Sequence, residues 1–174
     1  QSMNIMKKFT KKEIIILHCT TEYPAPYKEM NIRSMTTLEK KFKCRVGLSD
    51  HSLGFESSIV AVALGAKVLE KHFTINKNLK GPDHQASLSP IELKEYVKVI
   101  RNTEDVLGSW EKKPTLSEMK NIPGVRRGVV AASFIQKGTR IKKNMLSFKR
   151  PFKNINPFDS KKILGKISKK SFKE

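Results

Sequence analysis

Cysteine is scarce in this 174-residue chain: Cys19 and Cys44 are the only two, and their spacing fits neither a metal-binding nor a redox motif. Both are expected as reduced, packed thiols. No apolar run approaches the ~20 residues that a membrane-spanning helix requires, so no membrane partner is expected. The opening Gln1-Ser2-Met3-Asn4-Ile5-Met6-Lys7-Lys8 lacks a hydrophobic signal core. The expectation is a cytoplasmic protein, with Gln1-Ser2-Met3 a remnant ahead of its start. No glycine-rich phosphate loop is present. Acidic residues are also few, 16 Asp+Glu against 35 Lys+Arg, for a net charge of +19.

That excess is uneven. Residues 111–174 hold 18 Lys+Arg and 4 Asp+Glu, whereas residues 1–110 hold 17 and 12. A basic C-terminal region invites a nucleic-acid reading. It has no recognisable nucleic-acid-binding motif, however, and few aromatics placed for base stacking. A solvated basic surface that helps attract an anionic substrate is the favoured reading.

What is present is a regular alternation of strand-like and helix-like segments. Residues 13–19 (E-I-I-I-L-H-C) form a continuous apolar run, as expected of a strand covered on both faces of a parallel sheet. A proline-punctuated loop follows at residues 20–26, then an amphipathic helix over 30–42 with Ile32, Met35, Leu38 and Phe42 along one side. A second strand ends at Ser49-Asp50-His51, a small-residue helix covers 57–64, and a third strand covers 67–73. After a loop at 74–88, Ser89 reads as an N-cap, Pro90 as the first helical residue and Glu92 as the partner of a capping box. Leu93, Val97, Ile100, Glu104 and Leu107 then mark a mostly apolar stripe, and Gly108 stops the helix. The order is β-α-β-α-β-α, three units of an α/β fold. A polar linker, residues 110–123, leads to short β-rich pieces at 128–132, 135–141, 145–151 and 163–167, with Gln136-Lys137-Gly138-Thr139 as a hairpin turn. A second, small β domain is therefore expected from about residue 125.

The chemistry-bearing residues gather at strand ends. Side chains alternate along a strand, so Ser49 and His51 share one face of V-G-L-S-D-H-S, and Glu70 and His72 share one face of V-L-E-K-H-F-T. Ligands of α/β enzymes bind at the carboxyl ends of parallel strands. Two neutral imidazoles there suit a divalent metal and leave positions open for water and substrate oxygen. Glu70 is a candidate for either metal or a substrate hydroxyl. Asp83, within G-P-D-H, either meets sugar hydroxyls or simply builds a turn. Tyr23 either contacts substrate or packs against Pro24 and Pro26. His18, inside an apolar run, is read as structural. In Arg126-Arg127, either the pair is a solvated patch or one guanidinium grips a carbonyl or carboxylate.

Taken in order, H-C-T-T-E-Y-P-A-P (18–26), G-L-S-D-H-S (47–52), A-L-G-A-K-V-L-E-K-H-F-T (63–74), K-G-P-D-H-Q-A-S-L (80–88), R-R-G-V-V-A (126–131) and the I-Q-K-G-T to N-M-L-S-F-K-R-P run (135–151) resemble the sialic acid synthase family, which includes the legionaminic and pseudaminic acid synthases. The resemblance implies a (β/α)8 barrel joined to a C-terminal antifreeze-like (SAF) domain, in a domain-swapped homodimer. Residues 1–110 would be the last three βα units of that barrel, 111–124 a linker and 125–174 the SAF domain. It implies an enzyme that condenses phosphoenolpyruvate with an N-acetylated amino sugar and releases phosphate. Carried over by position, His51 and His72 would hold a divalent metal, Mn2+ with Mg2+ as the alternative. Glu70 and His72 would be catalytic, Ser49 would touch phosphoenolpyruvate, and Tyr23 and Asp83 would meet the sugar or the metal shell. Arg127 would reach the acyl group of sugar bound in the partner subunit. Thr21 would be a further substrate contact, standing where some members carry asparagine. Because a complete barrel takes ~250 residues, this chain alone is expected to lack synthase activity. The competing expectation is a basic binding or dimerisation module without catalysis.

Overall fold

The computed structural model describes residues 2–152 and 155–174, in two compact units, Gln1–Ser109 and Trp110–Glu174. In the first unit a short helix α1 (Ser2–Phe9) precedes β1 (Ile16–Cys19), α2 (Ser34–Phe42), β2 (Val46–Asp50), α3 (Glu56–Ala63), β3 (Leu69–Lys71) and α4 (Pro90–Leu107). Met3 is buried within α1. The three strands form one parallel sheet in the order β1-β2-β3, with Leu17 beside Gly47, Ser49 beside Glu70 and Asp50 beside Lys71.

Every residue of β2 is buried, as befits a central strand covered on both faces. Val46 and Leu48 pack with Met35 of α2, Ala61 of α3, and Ala25, Met30 and Ile32 from the connection between β1 and α2. A second cluster, Leu88, Tyr96 and Ile100 with Phe55, Val62, Leu69 and Leu93, seats α4. The apolar side of α4 is thus Leu93, Tyr96 and Ile100. Val97 and Leu107, expected on it, are both close to half exposed. The helix at 30–42 also starts later than its periodicity suggests: Tyr27–Glu29 is a 3-10 turn and Asn31 takes a positive φ of 44°, which delays the α-helix to Ser34.

Gly47 is demanded by close approach. A Cβ there would clash with the Val68 carbonyl oxygen and lie 2.6 Å from Leu17 Cδ2. That carbonyl accepts the Leu48 N–H at 3.0 Å, so the methyl would push on the β2–β3 ladder itself. Gly47→Ala is expected to cost about 1–3 kcal/mol, measured as a shifted urea midpoint. A midpoint equal to the parent's would contradict this packing.

The start of α4 follows the sequence closely. Ser89 accepts from Glu92 N, the Glu92 carboxylate accepts from Ser89 N at 2.8 Å, and Pro90 opens the helix. Lys77 Nζ donates to Glu92 Oε1 at 2.6 Å. Lys77 first, and then the Ser89 N–H, hold the Glu92 carboxyl down to about 2 from its ordinary 4.5. The folded state therefore binds this proton more weakly than the unfolded chain. The stabilisation is complete above pH 4.5 and fades as the pH falls toward 2. Because the pair is partly exposed, it is worth no more than about 1 kcal/mol. Glu92→Gln is expected to flatten the stability–pH curve between those limits, as read by denaturation at stepped pH. An unchanged slope would assign the acid sensitivity elsewhere.

In the second unit the stretch expected as a plain linker carries a helix, α5 (Leu116–Val125), opened by a Thr115–Glu118 capping box. Pro123 lies near its end. Two short strands, β4 (Gly128–Ala131) and β5 (Leu146–Lys149), pair antiparallel. The pieces at 135–141 and 163–167 do not extend this sheet. They contribute isolated bridges, Ile135 with Phe172 and Arg140 with Ile167. Between Ile135 and Arg140 the chain turns at Gln136–Thr139, closed by Thr139 N donating to Gln136 O at 3.1 Å, with Gly138 at φ 87°. No helix among the described residues is long and apolar enough to cross a membrane.

Candidate active site

The register of β2 against β3 builds the site. With Ser49 beside Glu70 and Asp50 beside Lys71, the next step along each strand sets His51 beside His72. Alternation then sends Ser49, His51, Glu70 and His72 to one side of the sheet and Asp50 and Lys71 to the other. Ser49 Oγ donates to Glu70 Oε1 at 2.6 Å. The His51 and His72 ring centroids lie 5.1 Å apart at 70°, and Tyr23 closes the group, 5.0 Å from His51 and 4.2 Å from His72. Both imidazoles are half-buried, Ser49 is buried and Glu70 is exposed.

The loops after β1 and β3 fix this group from either side. Ala25 N donates to His51 O and Leu88 N donates to His72 O, each at 2.9 Å. Asp83 Oδ2 lies 3.7 Å from His72 Nδ1. A cleft of about 260 Å3 lined by His72, Gly81, Asp83, His84 and Ser87 opens beside it. The Tyr23 phenol is pushed up chiefly by burial. A hydrogen bond with Ser87 opposes that shift, and the Asp83 and Asp50 carboxylates add to it. A neutral, donating phenol is thus favoured next to two imidazoles.

Of the residues singled out in the sequence, Tyr23, Ser49, His51, Glu70, His72 and Asp83 come together. Thr21 is exposed in the same loop as Tyr23. Arg127 belongs to the second unit, exposed immediately before β4. His18 is structural as expected: its ring lies 2.6 Å from Met30 O and 3.1 Å from Ser34 Oγ, pinning the start of α2. The cysteines need correction. Both are free thiols, but Cys19 is exposed and Cys44 half-buried. Cys19 ends β1 level with Ser49, and its Sγ lies 3.7 Å from His51 Nε2. An apolar run gave no sign of this, because the last residue of a strand has left the packed layer.

Sequence reading also missed the reverse side of the sheet. There the Asp50 carboxylate is fully buried, 3.1 Å from the buried Lys71 ammonium.

Comparison with known proteins places these features in a family. The NeuB family model matches residues 1–112 and the SAF domain model residues 126–174. The chain belongs to the NeuB family. It is 46% identical to the N,N'-diacetyllegionaminic acid synthase of Campylobacter jejuni, over 100% of this chain and 53% of that protein. Identity to the N-acetylneuraminate-9-phosphate synthase of Homo sapiens is 39%, over 95% of this chain and 48% of that protein. Among solved structures, the N-acetylneuraminic acid (sialic acid) synthetase of Leptospira borgpetersenii serovar Hardjo-bovis, in complex with citrate, superposes with a TM-score of 0.60 at 36% identity, over 70% of this chain and 42% of that one. The chain spans about half the length of the curated relatives it matches. An α/β unit followed by a SAF domain, in a sialic acid synthase-type family, is thus the organisation that the sequence motifs implied.

Proposed function

We propose that this chain is the C-terminal part of a nonulosonic acid synthase, the last three βα units of a (β/α)8 barrel followed by the SAF domain. The complete cytoplasmic enzyme condenses phosphoenolpyruvate with an N-acetylated amino sugar and acts as a domain-swapped homodimer. The observation that carries this reading is the pair of imidazoles 5.1 Å apart at the carboxyl ends of adjacent parallel strands, flanked by Tyr23 and the Ser49–Glu70 hydrogen bond. The relatives named above, and their greater length, support the rest.

The residues present fit a divalent cation. His51 and His72, their ring centroids 5.1 Å apart, would be the two residues to hold it. Two imidazoles would leave positions on such an ion for water and substrate oxygen. Mn2+, or Mg2+, held by His51 and His72 would act as a Lewis acid toward the sugar aldehyde.

In the reaction the enol carbon of phosphoenolpyruvate bonds to the aldehyde carbon, water adds at the carbon bearing the phosphate, and phosphate leaves by C–O cleavage. Asp83, its Oδ2 3.7 Å from His72 Nδ1, meets the sugar or the metal shell. Ser49, its hydroxyl directed by Glu70, positions phosphoenolpyruvate. Glu70 retains a second oxygen to receive a sugar hydroxyl, and the carboxylate that handles the attacking water belongs to the rest of the barrel. The Tyr23 phenol donates to the sugar. Thr21 contributes at the mouth, and Arg127 holds the acyl group of sugar bound in the partner subunit.

Thermal unfolding of the chain with Mn2+, phosphoenolpyruvate or a polyanion tests this reading. Saturating Mn2+ should raise Tm by several degrees, since ligand at 100 times Kd adds about 2.7 kcal/mol. The chain alone should release no phosphate from phosphoenolpyruvate and N-acetylmannosamine, whereas a protein with all eight units should. Stabilisation by a polyanion alone, strongly salt-dependent, would instead assign the basic second unit a binding role.

A further inference from the structure

We infer that the buried Asp50–Lys71 pair is the register lock that sets the His51 and His72 imidazoles side by side. The two residues stand immediately before the two histidines, on the opposite side of the sheet, where α3 and α4 cover it. Asp50 is 0% exposed and uses both oxygens: Oδ1 accepts from Ser52 N at 2.9 Å and Ser52 Oγ at 2.7 Å, and Oδ2 accepts from Ser58 Oγ at 2.7 Å, with Lys71 Nζ at 3.1 Å. Lys71 Nζ also donates to Ser52 O at 2.6 Å, reaching past the end of β2. Tyr96 OH donates to Ser58 Oγ at 2.8 Å, tying the cluster to α4.

The consequence follows from geometry. His51 lies between Asp50 and Ser52, and Lys71 holds both of those residues while itself leading directly into His72. One side chain of β3 therefore holds the Asp50 carboxylate before the first imidazole and the Ser52 carbonyl after it, and leads into the second. Strand pairing alone does not specify register, and a slip of one residue would turn every side chain of β3 to the other face. Such a slip would bring a lysine into the site and take His72 out of it. It would also bury the Asp50 carboxylate without its cation, which makes the slipped state costly in a way an apolar pair would not. Selecting one register is the best-attested use of a buried polar pair. Asp50 and Lys71 are positioning residues, since neither faces the site.

The spacing of the rings stands by itself; its effect on metal binding rests on the reading under Proposed function. The test uses the full chain with Asp50 and Lys71 replaced together, Asp50→Asn/Lys71→Met, which keeps volume and leaves no lone charge. In metal-free protein, the nuclear Overhauser effects between the His51 and His72 ring protons should weaken or vanish, with far-UV circular dichroism unchanged. Mn2+ affinity should fall by about tenfold or more, the range of outer-shell losses. Ser58→Ala leaves the pair intact but removes one donor to Asp50. It is expected to weaken Mn2+ binding by only about two- to fivefold, below that range, so the effect is graded and does not depend on the paired variant folding. Intact ring contacts in the paired variant, or Mn2+ affinity within about twofold of the parent in both variants, would overturn the lock. A parent chain that binds no Mn2+ would count against the metal reading alone, with the ring contacts still deciding the lock.

Discussion

Lys71→Met is expected to remove about 3–5 kcal/mol from the stability of the first unit, the range found when one member of a buried pair is deleted. Native domains carry only about 5–15 kcal/mol in total, so the variant should sit near the edge of folding. Lys71 Nζ is 3.1 Å from Asp50 Oδ2, the lysine side chain is 4% exposed and the carboxylate 0%. Removing the ammonium leaves that charge in a dry layer, among hydroxyls and one N–H that cannot neutralise it. The Ser52 carbonyl also loses its 2.6 Å donor. Asp50→Asn added to Lys71→Met should recover most of the loss, since replacing both members of such a pair is often close to neutral. Urea denaturation of the two variants measures both effects. A loss below about 1 kcal/mol for Lys71→Met, typical of an exposed pair, would mean that the carboxylate is reached by water.

The contrast between the two sides of β2 shows why part of this chain was legible in advance and part was not. Alternation alone put Ser49 with His51 and Glu70 with His72, because the period of two is short-range information, and the rule that ligands sit at the carboxyl ends of parallel strands brought the two pairs to one site. The α4 capping box was legible for the same reason: its donors and acceptors lie three residues apart. Asp50 and Lys71 were given no role, because their pairing depends on the register of β2 against β3, which is a long-range property. One signal was available. Charges of opposite sign immediately precede the two histidines, and equivalent positions on neighbouring parallel strands place them opposite each other.

The apolar stripe of α4 went astray for a related reason. Val97 and Leu107 fit the helical period, but Tyr96 is the residue that reaches the Ser58 hydroxyl and is buried. An aromatic with a polar tip serves where the core contains a carboxylate network. In the second unit, the lysine-bearing stretch around Thr115 looked like a linker because charge masks helical pattern. The Thr115–Glu118 spacing, the same box that opens α4, was the overlooked sign. The strand-like pieces at 135–141 and 163–167 carry β-forming residues, yet short pieces broken by turns can supply single bridges without a ladder.

The other large effect concerns the imidazoles themselves. His51→Ala and His72→Ala are each expected to lower Mn2+ affinity of the chain by more than about 100-fold, beyond the upper end of losses from outer-shell changes. In the proposed site two nitrogens would be the protein's share, so each deletion would leave one side chain to hold the ion. The same substitutions in a protein carrying all eight barrel units should lower kcat for phosphate release by about 1,000-fold or more, since Lewis-acid polarisation is worth several kcal/mol and ~1.4 kcal/mol is tenfold in rate. Tyr23→Phe separates coordination from contact. It retains the ring 4.2 Å from His72 and removes only the hydroxyl, so Mn2+ affinity should hold while KM for the sugar rises. Isothermal titration with Mn2+ and steady-state phosphate release read the two quantities independently. Should either histidine variant bind Mn2+ as tightly as the parent, the two rings do not share the ion, and the 5.1 Å approach would be a packing contact beside a site held by other groups.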